Sequence, residues 1–205
     1  MIDAPTALQR LREGNCRFIA GASRTTLGNR LHRGELAGGQ APFAIILGCS
    51  DSRVPAEIVF DQGLGDLFVI RVAGNIVASS QVGSAEFAAE RFGTRLIVVL
   101  GHSRCGAVSA TVEELRRPRE NQAPNLRSIV DRVRPSVEAL LETELRHDHD
   151  ALVHHAVRSN VRASANHLRH GSAVLEGLIE REGLRVVGAE YSLETGMVEF
   201  FDGAS

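Results

Sequence analysis

The chain has no tryptophan, a single tyrosine and only three cysteines in 205 residues. So few cysteines, odd in number, do not make a disulfide framework in a chain this long, and they fit a reduced, cytoplasmic setting. Neither charge is in excess. The 23 basic residues against 25 acidic ones leave a formal charge of −2, which gives no reason to expect nucleic acid or an anionic membrane as partner. The basic cluster Arg116-Arg117-Pro118-Arg119 is short, is followed by Glu120, and reads as a solvated helix end or loop. No basic stretch precedes an apolar segment at the N-terminus, so no signal peptide is expected, and the apolar runs are far too short to span a bilayer. Internal repeats and low-complexity segments are also lacking. A 43% hydrophobic and 23% charged composition is that of a globular chain, read as one domain over residues 1–205 with a sizeable core.

Residues 4–20 carry Leu8, Leu11, Phe18 and Ile19 at helical spacing, with Pro5 near the start and Gly21 as a stop. A Gly-rich polar stretch follows through Gly38-Gly39-Gln40. This N-terminal helical arm, residues 1–38, has few partners near it in sequence and is expected to pack on a neighbouring subunit. From Pro42 strands and helices alternate. Strands are predicted at Phe43–Gly48, Leu67–Val72, Leu96–Leu100 and Leu184–Tyr191, and helices at Ser84–Phe92 and Ala107–Arg117. A loop covers Pro118–Pro124, two or three helices fill 125–182, and Thr195-Gly196 turns into an edge strand at Met197–Phe201. The pattern predicts an α/β fold with a mainly parallel sheet of about four parallel strands plus an antiparallel edge strand, flanked by helices.

Cys49 and His102 each follow a buried apolar strand, Phe43-Ala-Ile-Ile-Leu-Gly and Leu96-Ile-Val-Val-Leu-Gly, and each comes directly after a glycine that lets the backbone turn. Ligands bind outside the carboxyl ends of strands in open parallel sheets, and neighbouring strands are close enough to share one metal. Cys105, three residues after His102, falls on the same face if a helix begins there, and a helix N-terminus favours its thiolate. Two thiolates and an imidazole suit zinc, and three protein ligands leave a position open for chemistry. Small core cysteines are the plain alternative, outweighed by the matching frames of all three residues. Asp51 and Arg53, in Cys-Ser-Asp-Ser-Arg-Val-Pro, add a carboxylate beside this cluster and an arginine able to pair with it and fix its direction.

The segment Cys49-Ser-Asp-Ser-Arg-Val-Pro55, together with Gly101-His-Ser-Arg-Cys-Gly106 about fifty residues on, resembles the β-class carbonic anhydrases, and the resemblance extends over nearly the whole chain. It implies a zinc-dependent enzyme that interconverts carbon dioxide and bicarbonate as a homodimer or a dimer of dimers. Cys49, His102 and Cys105 would hold one zinc per chain, lowering the pKa of water from about 15.7 towards 7. Asp51 and Arg53 would form a dyad in which Asp51 accepts a hydrogen bond at the metal's fourth position; in a closed state Asp51 itself would take that position. Gln40 would donate a hydrogen bond to substrate, in the neighbouring chain's cleft if each cleft is built from two subunits. Phe68, Ala73, Phe87 and the Gly106 N–H would line the substrate pocket.

Two positions depart from the family pattern. Phe87 stands where a tyrosine is frequent and lacks its hydroxyl. Ile46 stands where members inhibited by bicarbonate carry a tryptophan, although the accompanying Arg71 and Tyr191 match, so cooperative bicarbonate inhibition is not expected. Cys16 reads as a half-buried thiol. The stretch His147-Asp-His-Asp-Ala-Leu-Val-His-His155, in which Asp150 and His154 can share a helix face, reads as a solvated face rather than a second metal site, and His167 and His170 as helix-face residues. Two other functions use the same trio: a hydrolase of carbon disulfide or carbonyl sulfide, and a non-catalytic zinc or redox sensor.

Overall fold

The computed structural model describes residues 2–24, 34, 36–116 and 124–204. Five strands, β1 (Ala44–Gly48), β2 (Leu67–Arg71), β3 (Leu96–His102), β4 (Arg185–Tyr191) and β5 (Val198–Asp202), form one sheet in the order β2-β1-β3-β4-β5. β2, β1, β3 and β4 run parallel, and β5 is antiparallel to β4 at one edge. This is the expected α/β architecture. Among the described residues the α-helices are α1 (Ala4–Ile19), α2 (Ala56–Val59), α3 (Ser79–Arg91), α4 (Gly106–Arg116), α5 (Pro124–Val133), α6 (Pro135–Leu141), α7 (His149–His170) and α8 (Ala173–Glu182).

Both faces of the sheet are covered, which is why β1 and β3 read as unbroken apolar runs. Side chains alternate between the two faces. Ala44, Ile46, Val98 and Leu100 face α1, packing with Leu8 and Leu11. Ile45, Leu47, Ile97 and Val99 lie on the other side with Ala85 and Ala88 of α3 and Val161 and Ala165 of α7. α1 starts after Asp3, whose carboxylate accepts the Thr6 N–H. It is fixed to its own chain by the buried Asn15, which donates to the Val59 and Gly196 carbonyls and accepts the Val198 N–H.

Between residues 124 and 182 there are four α-helices, with a 3-10 turn at Glu144–His147, rather than two or three. Pro135 has no N–H to continue α5, so α6 starts afresh, and Gly171-Ser172 separates α7 from α8, with the Ser172 hydroxyl capping Leu175 N–H. α3 starts at Ser79, five residues earlier than expected. Residues 117–119 of the basic cluster, 118–123 of the expected loop and part of the Gly-rich stretch lie outside the described residues, and Pro124 begins α5. Among those described, no helix is long and apolar enough to cross a membrane.

Candidate active site

The parallel register pairs Gly48 with Leu100, so Cys49 emerges beside Gly101 and His102 lies one residue further along β3. His102 is the last residue of β3, and Ser103-Arg104 make a tight turn, with Arg104 at φ +54°, before Cys105 enters α4. It is this turn, not a shared helix face, that brings Cys105 back to His102. Gly101 keeps extended backbone too. Its reason is space, since a β-carbon there would come within 2.6 Å of the Val161 side chain on α7.

The ligating atoms of Cys49, His102 and Cys105 all lie within 4.8 Å of one another, and all three residues are buried. No other group of three or more such side chains converges in this way among the described residues. His102 Nδ1 faces the Ser103 carbonyl at 2.9 Å, so Nδ1 carries the proton. Nε2 is then left as a bare acceptor with no partner, in a fully buried residue. An unpartnered imidazole nitrogen beside two buried sulfurs is the arrangement a soft or borderline divalent cation satisfies, so the donor set fits zinc.

The two thiols share a proton unequally. Cys49 is pulled well below the usual thiol range, chiefly by the hydrogen bond from Cys105, against its own burial, with help from the nearby His102 ring and the Gly74 N–H. Cys105 is pushed up by giving that hydrogen bond and by burial, while the Ala107 and Val108 N–H groups at the start of α4 work the other way. Burial opposes charge on His102, but the adjacent Cys49 sulfur and its negative charge, with the Ser103 carbonyl at Nδ1, outweigh it and raise its pKa. A thiolate is therefore already favoured in the cluster, as metal ligation requires.

Asp51 lies just outside the trio, with Oδ2 3.9 Å from His102 Nε2. Arg53 holds it in a bidentate pair, Nε to Oδ1 at 2.9 Å and Nη2 to Oδ2 at 2.7 Å. These bonds drive the Asp51 pKa well below the usual carboxylate range. Arg71 fixes the same loop from the end of β2, donating to the carbonyls of Cys49 (3.1 Å) and Asp51 (2.6 Å). Arg71, expected only as a match to a regulatory pattern, thus anchors the loop, a role no local pattern in the sequence marks. The Gly74 N–H, likewise unmarked, donates to Cys49 Sγ at 3.3 Å.

The remaining expected site residues fall into two groups. Ala73 opens the turn that carries Gly74, and Gly106 begins α4 next to Cys105, so both lie at the cluster. Gln40 precedes β1, at the opposite end of that strand from Cys49, and lines a surface cavity with Leu64, Gly65 and Phe92. Phe68 and Phe87 meet Phe92 there, with ring centroids 6.1 and 5.7 Å from it. Phe68 pairs with Ile45, which at the rise of a strand is about 13 Å from Cys49. Within one chain, then, Gln40, Phe68 and Phe87 do not reach the trio. Ile46 is buried in β1, and Tyr191 is buried at the end of β4, in register with His102. Cys16 is exposed rather than half-buried. Asp150 and His154 do share a face of α7 and line a cleft with Ser103 and Glu194.

A sequence-family model described as carbonic anhydrase matches residues 44–198, most of the chain. The chain belongs to the β-carbonic anhydrases. It is 40% identical over 200 residues to carbonic anhydrase 2 of Mycobacterium tuberculosis, covering 93% of this chain and 89% of that protein. It is 37% identical over 203 residues to a carbonic anhydrase of Mycolicibacterium smegmatis, covering 94% and 91%. Among solved structures, a tetrameric β-carbonic anhydrase of the ascomycete Sordaria macrospora superposes with a TM-score of 0.75 at 26% identity, over 84% of this chain and 87% of that one. As a member of this family the chain is a carbonate dehydratase: it catalyses the reversible hydration of carbon dioxide to bicarbonate and a proton.

Proposed function

We propose that the anhydrase reaction runs at the Cys49–His102–Cys105 cluster with one zinc ion per chain, the three side chains being its protein ligands. The observation that carries this is the bare His102 Nε2 packed against two sulfurs, with Asp51 turned away onto Arg53 instead of completing the set. When bound, zinc supplies the Lewis acidity that brings the pKa of water from about 15.7 to near 7. The chain's residues do the rest. Asp51 stays ionised at neutral pH and can only accept, so it orients a nucleophilic water by one of its O–H groups. Arg53 keeps both carboxylate oxygens in place, and Arg71 holds the backbone on which Cys49 and Asp51 sit. Closure by Asp51 onto the metal would require breaking the Arg53 pair.

Gln40, Phe68 and Phe87 complete the cleft of a neighbouring subunit, Gln40 by donating a hydrogen bond to substrate and the two rings by excluding water around a small apolar gas. Support comes from their distance from the trio in their own chain and from the exposure of Gln40 and Phe87, the latter 53% exposed, with the neighbouring Leu64 also exposed, near β2, an edge strand of the sheet. A two-fold interface there would bring this patch to the partner's cluster while bringing the partner's patch to this one. The assembly is a homodimer or a dimer of dimers, the latter in keeping with the tetrameric Sordaria macrospora relative. Residues 1–205 form one catalytic domain whose arm, residues 1–38, reaches the neighbouring subunit. Three unpaired cysteines fit the reducing cytoplasm.

The test is a titration of metal-stripped protein with zinc while carbon dioxide hydration is followed. Activity should rise linearly and stop near one zinc per chain in wild type, with no recovery in Cys49→Ser. Full activity in the stripped protein, or in Cys49→Ser, would refute the assignment.

A further inference from the structure

Asn160 and Ser164 sit on α7, a helix that gives no donor to the cluster, yet both reach the turn behind Cys49. Asn160 Nδ2 donates to the Gly74 carbonyl at 2.7 Å, and the Ser164 hydroxyl to the Asn75 carbonyl at 2.9 Å. Both residues are buried. The turn they hold carries the Gly74 N–H that donates to Cys49 Sγ. It is also an unfavourable piece of backbone, left-handed at two successive residues, Gly74 at φ +71° and Asn75 at φ +42°. Glycine suits the first of these, since at this φ a side chain is strained and its β-carbon would press on Ala107 Cβ at 3.1 Å. The second is held by a non-glycine residue whose own amide nitrogen has no partner. Such conformations persist where the surroundings over-determine them. Here the surroundings are the two donors from α7.

We propose that Asn160, assisted by Ser164, is a positioning residue for the Cys49 thiolate: by pinning the Gly74 and Asn75 carbonyls it keeps the Gly74 N–H aimed at Cys49 Sγ. A hydrogen bond to sulfur withdraws charge from it, so Asn160 governs both where Cys49 stands and how strongly it donates to the metal. α7 thereby becomes a part of the metal site without touching it. The inference rests on the cluster being the zinc site.

The test uses the full-length protein loaded with cobalt(II), whose thiolate charge-transfer absorption reports sulfur donor strength, and a chelator competition for zinc. Asn160→Asp keeps the side-chain shape but removes the amide donor. It should move the absorption to lower energy and weaken zinc retention about tenfold, the lower end of the range for outer partners of metal ligands. Ser164→Ala should shift the band in the same direction by less, and Ser164→Thr, which keeps a hydroxyl, should restore it. Leu168→Ala, a buried cavity-forming change on the same helix, should lower stability and leave the band where it is. An unmoved band and unchanged retention in folded Asn160→Asp would overturn the inference, as would an equal shift in Leu168→Ala. If Asn160→Asp does not fold, an unmoved band in Ser164→Ala overturns it. Failure of wild type to bind about one cobalt per chain with a thiolate band would instead overturn the zinc assignment beneath it.

Discussion

Arg53 holds Asp51 by three hydrogen bonds, two from its guanidinium to the two carboxylate oxygens and one from its backbone N–H to Oδ1 at 3.0 Å. The carboxylate can then face the His102 side of the cluster only in the direction Arg53 permits. A planar fork is needed for this, because an ammonium offers a point charge in place of two parallel donors.

Arg53→Lys is therefore not conservative here. It should lower kcat/KM for carbon dioxide hydration by roughly 10–10²-fold through misplacement of Asp51, with zinc content unchanged. Parallel metal analysis and stopped-flow kinetics check this. Wild-type kinetics in Arg53→Lys would show that the charge alone suffices.

Metal removal should cost stability as well as activity. A ligand at a thousand times its Kd stabilises a fold by about 4.1 kcal/mol, which for a chain of this size is roughly 8–16 °C in Tm. Calorimetry of the protein with and without a strong chelator measures the difference, and re-addition of zinc should reverse it. An unchanged Tm in demonstrably metal-free protein would mean that metal binding at this cluster is not coupled to the stability of the fold.

Sharing of clefts between subunits has a sharp consequence. Co-expressed Cys49→Ser and Gln40→Ala chains, each impaired alone, should form mixed dimers with one intact cleft, restoring about a quarter of wild-type sites. Activity no greater than the mean of the two parents would place Gln40 outside the partner's cleft.

Asn15→Ala tests how α1 is attached. It leaves the Val59 and Gly196 carbonyls and the Val198 N–H without partners at a buried position, at about 2–3 kcal/mol, or roughly 4–12 °C in Tm. Thermal melting reads the loss, and zinc stoichiometry should not change. A Tm within about 1 °C of wild type would show these bonds exchanged for water at no net cost.

The strand ends that position the trio could be read from the sequence because β1 and β3 are buried on both faces. Such strands leave continuous apolar runs, and Cys49 and His102 stand where those runs stop. Asp51 and Arg53 were legible for a related reason, being two residues apart in one loop. Helix boundaries around Pro135 and Ser172 carry ordinary local signals, a proline and a capping serine. Gln40, Phe68 and Phe87 had an expected chemistry but not a location, since strand direction separates Gln40 from Cys49 by the length of β1. The grip of Asn160 on Gly74 spans 86 residues of sequence. Gly74-Asn75 marks a turn in any sequence, but which of its backbone groups meets a sulfur depends on how α7 packs against β3, and no local pattern records that.

The most direct measurement is stopped-flow carbon dioxide hydration by wild type and Asp51→Ala at matched zinc content. Catalysed hydration in wild type, falling about 10²-fold or more in Asp51→Ala with the metal retained, is the result predicted. Wild type carrying near one zinc per chain with hydration no faster than the uncatalysed reaction, or Asp51→Ala indistinguishable from it, would contradict the assignment of this cluster as the site of the reaction.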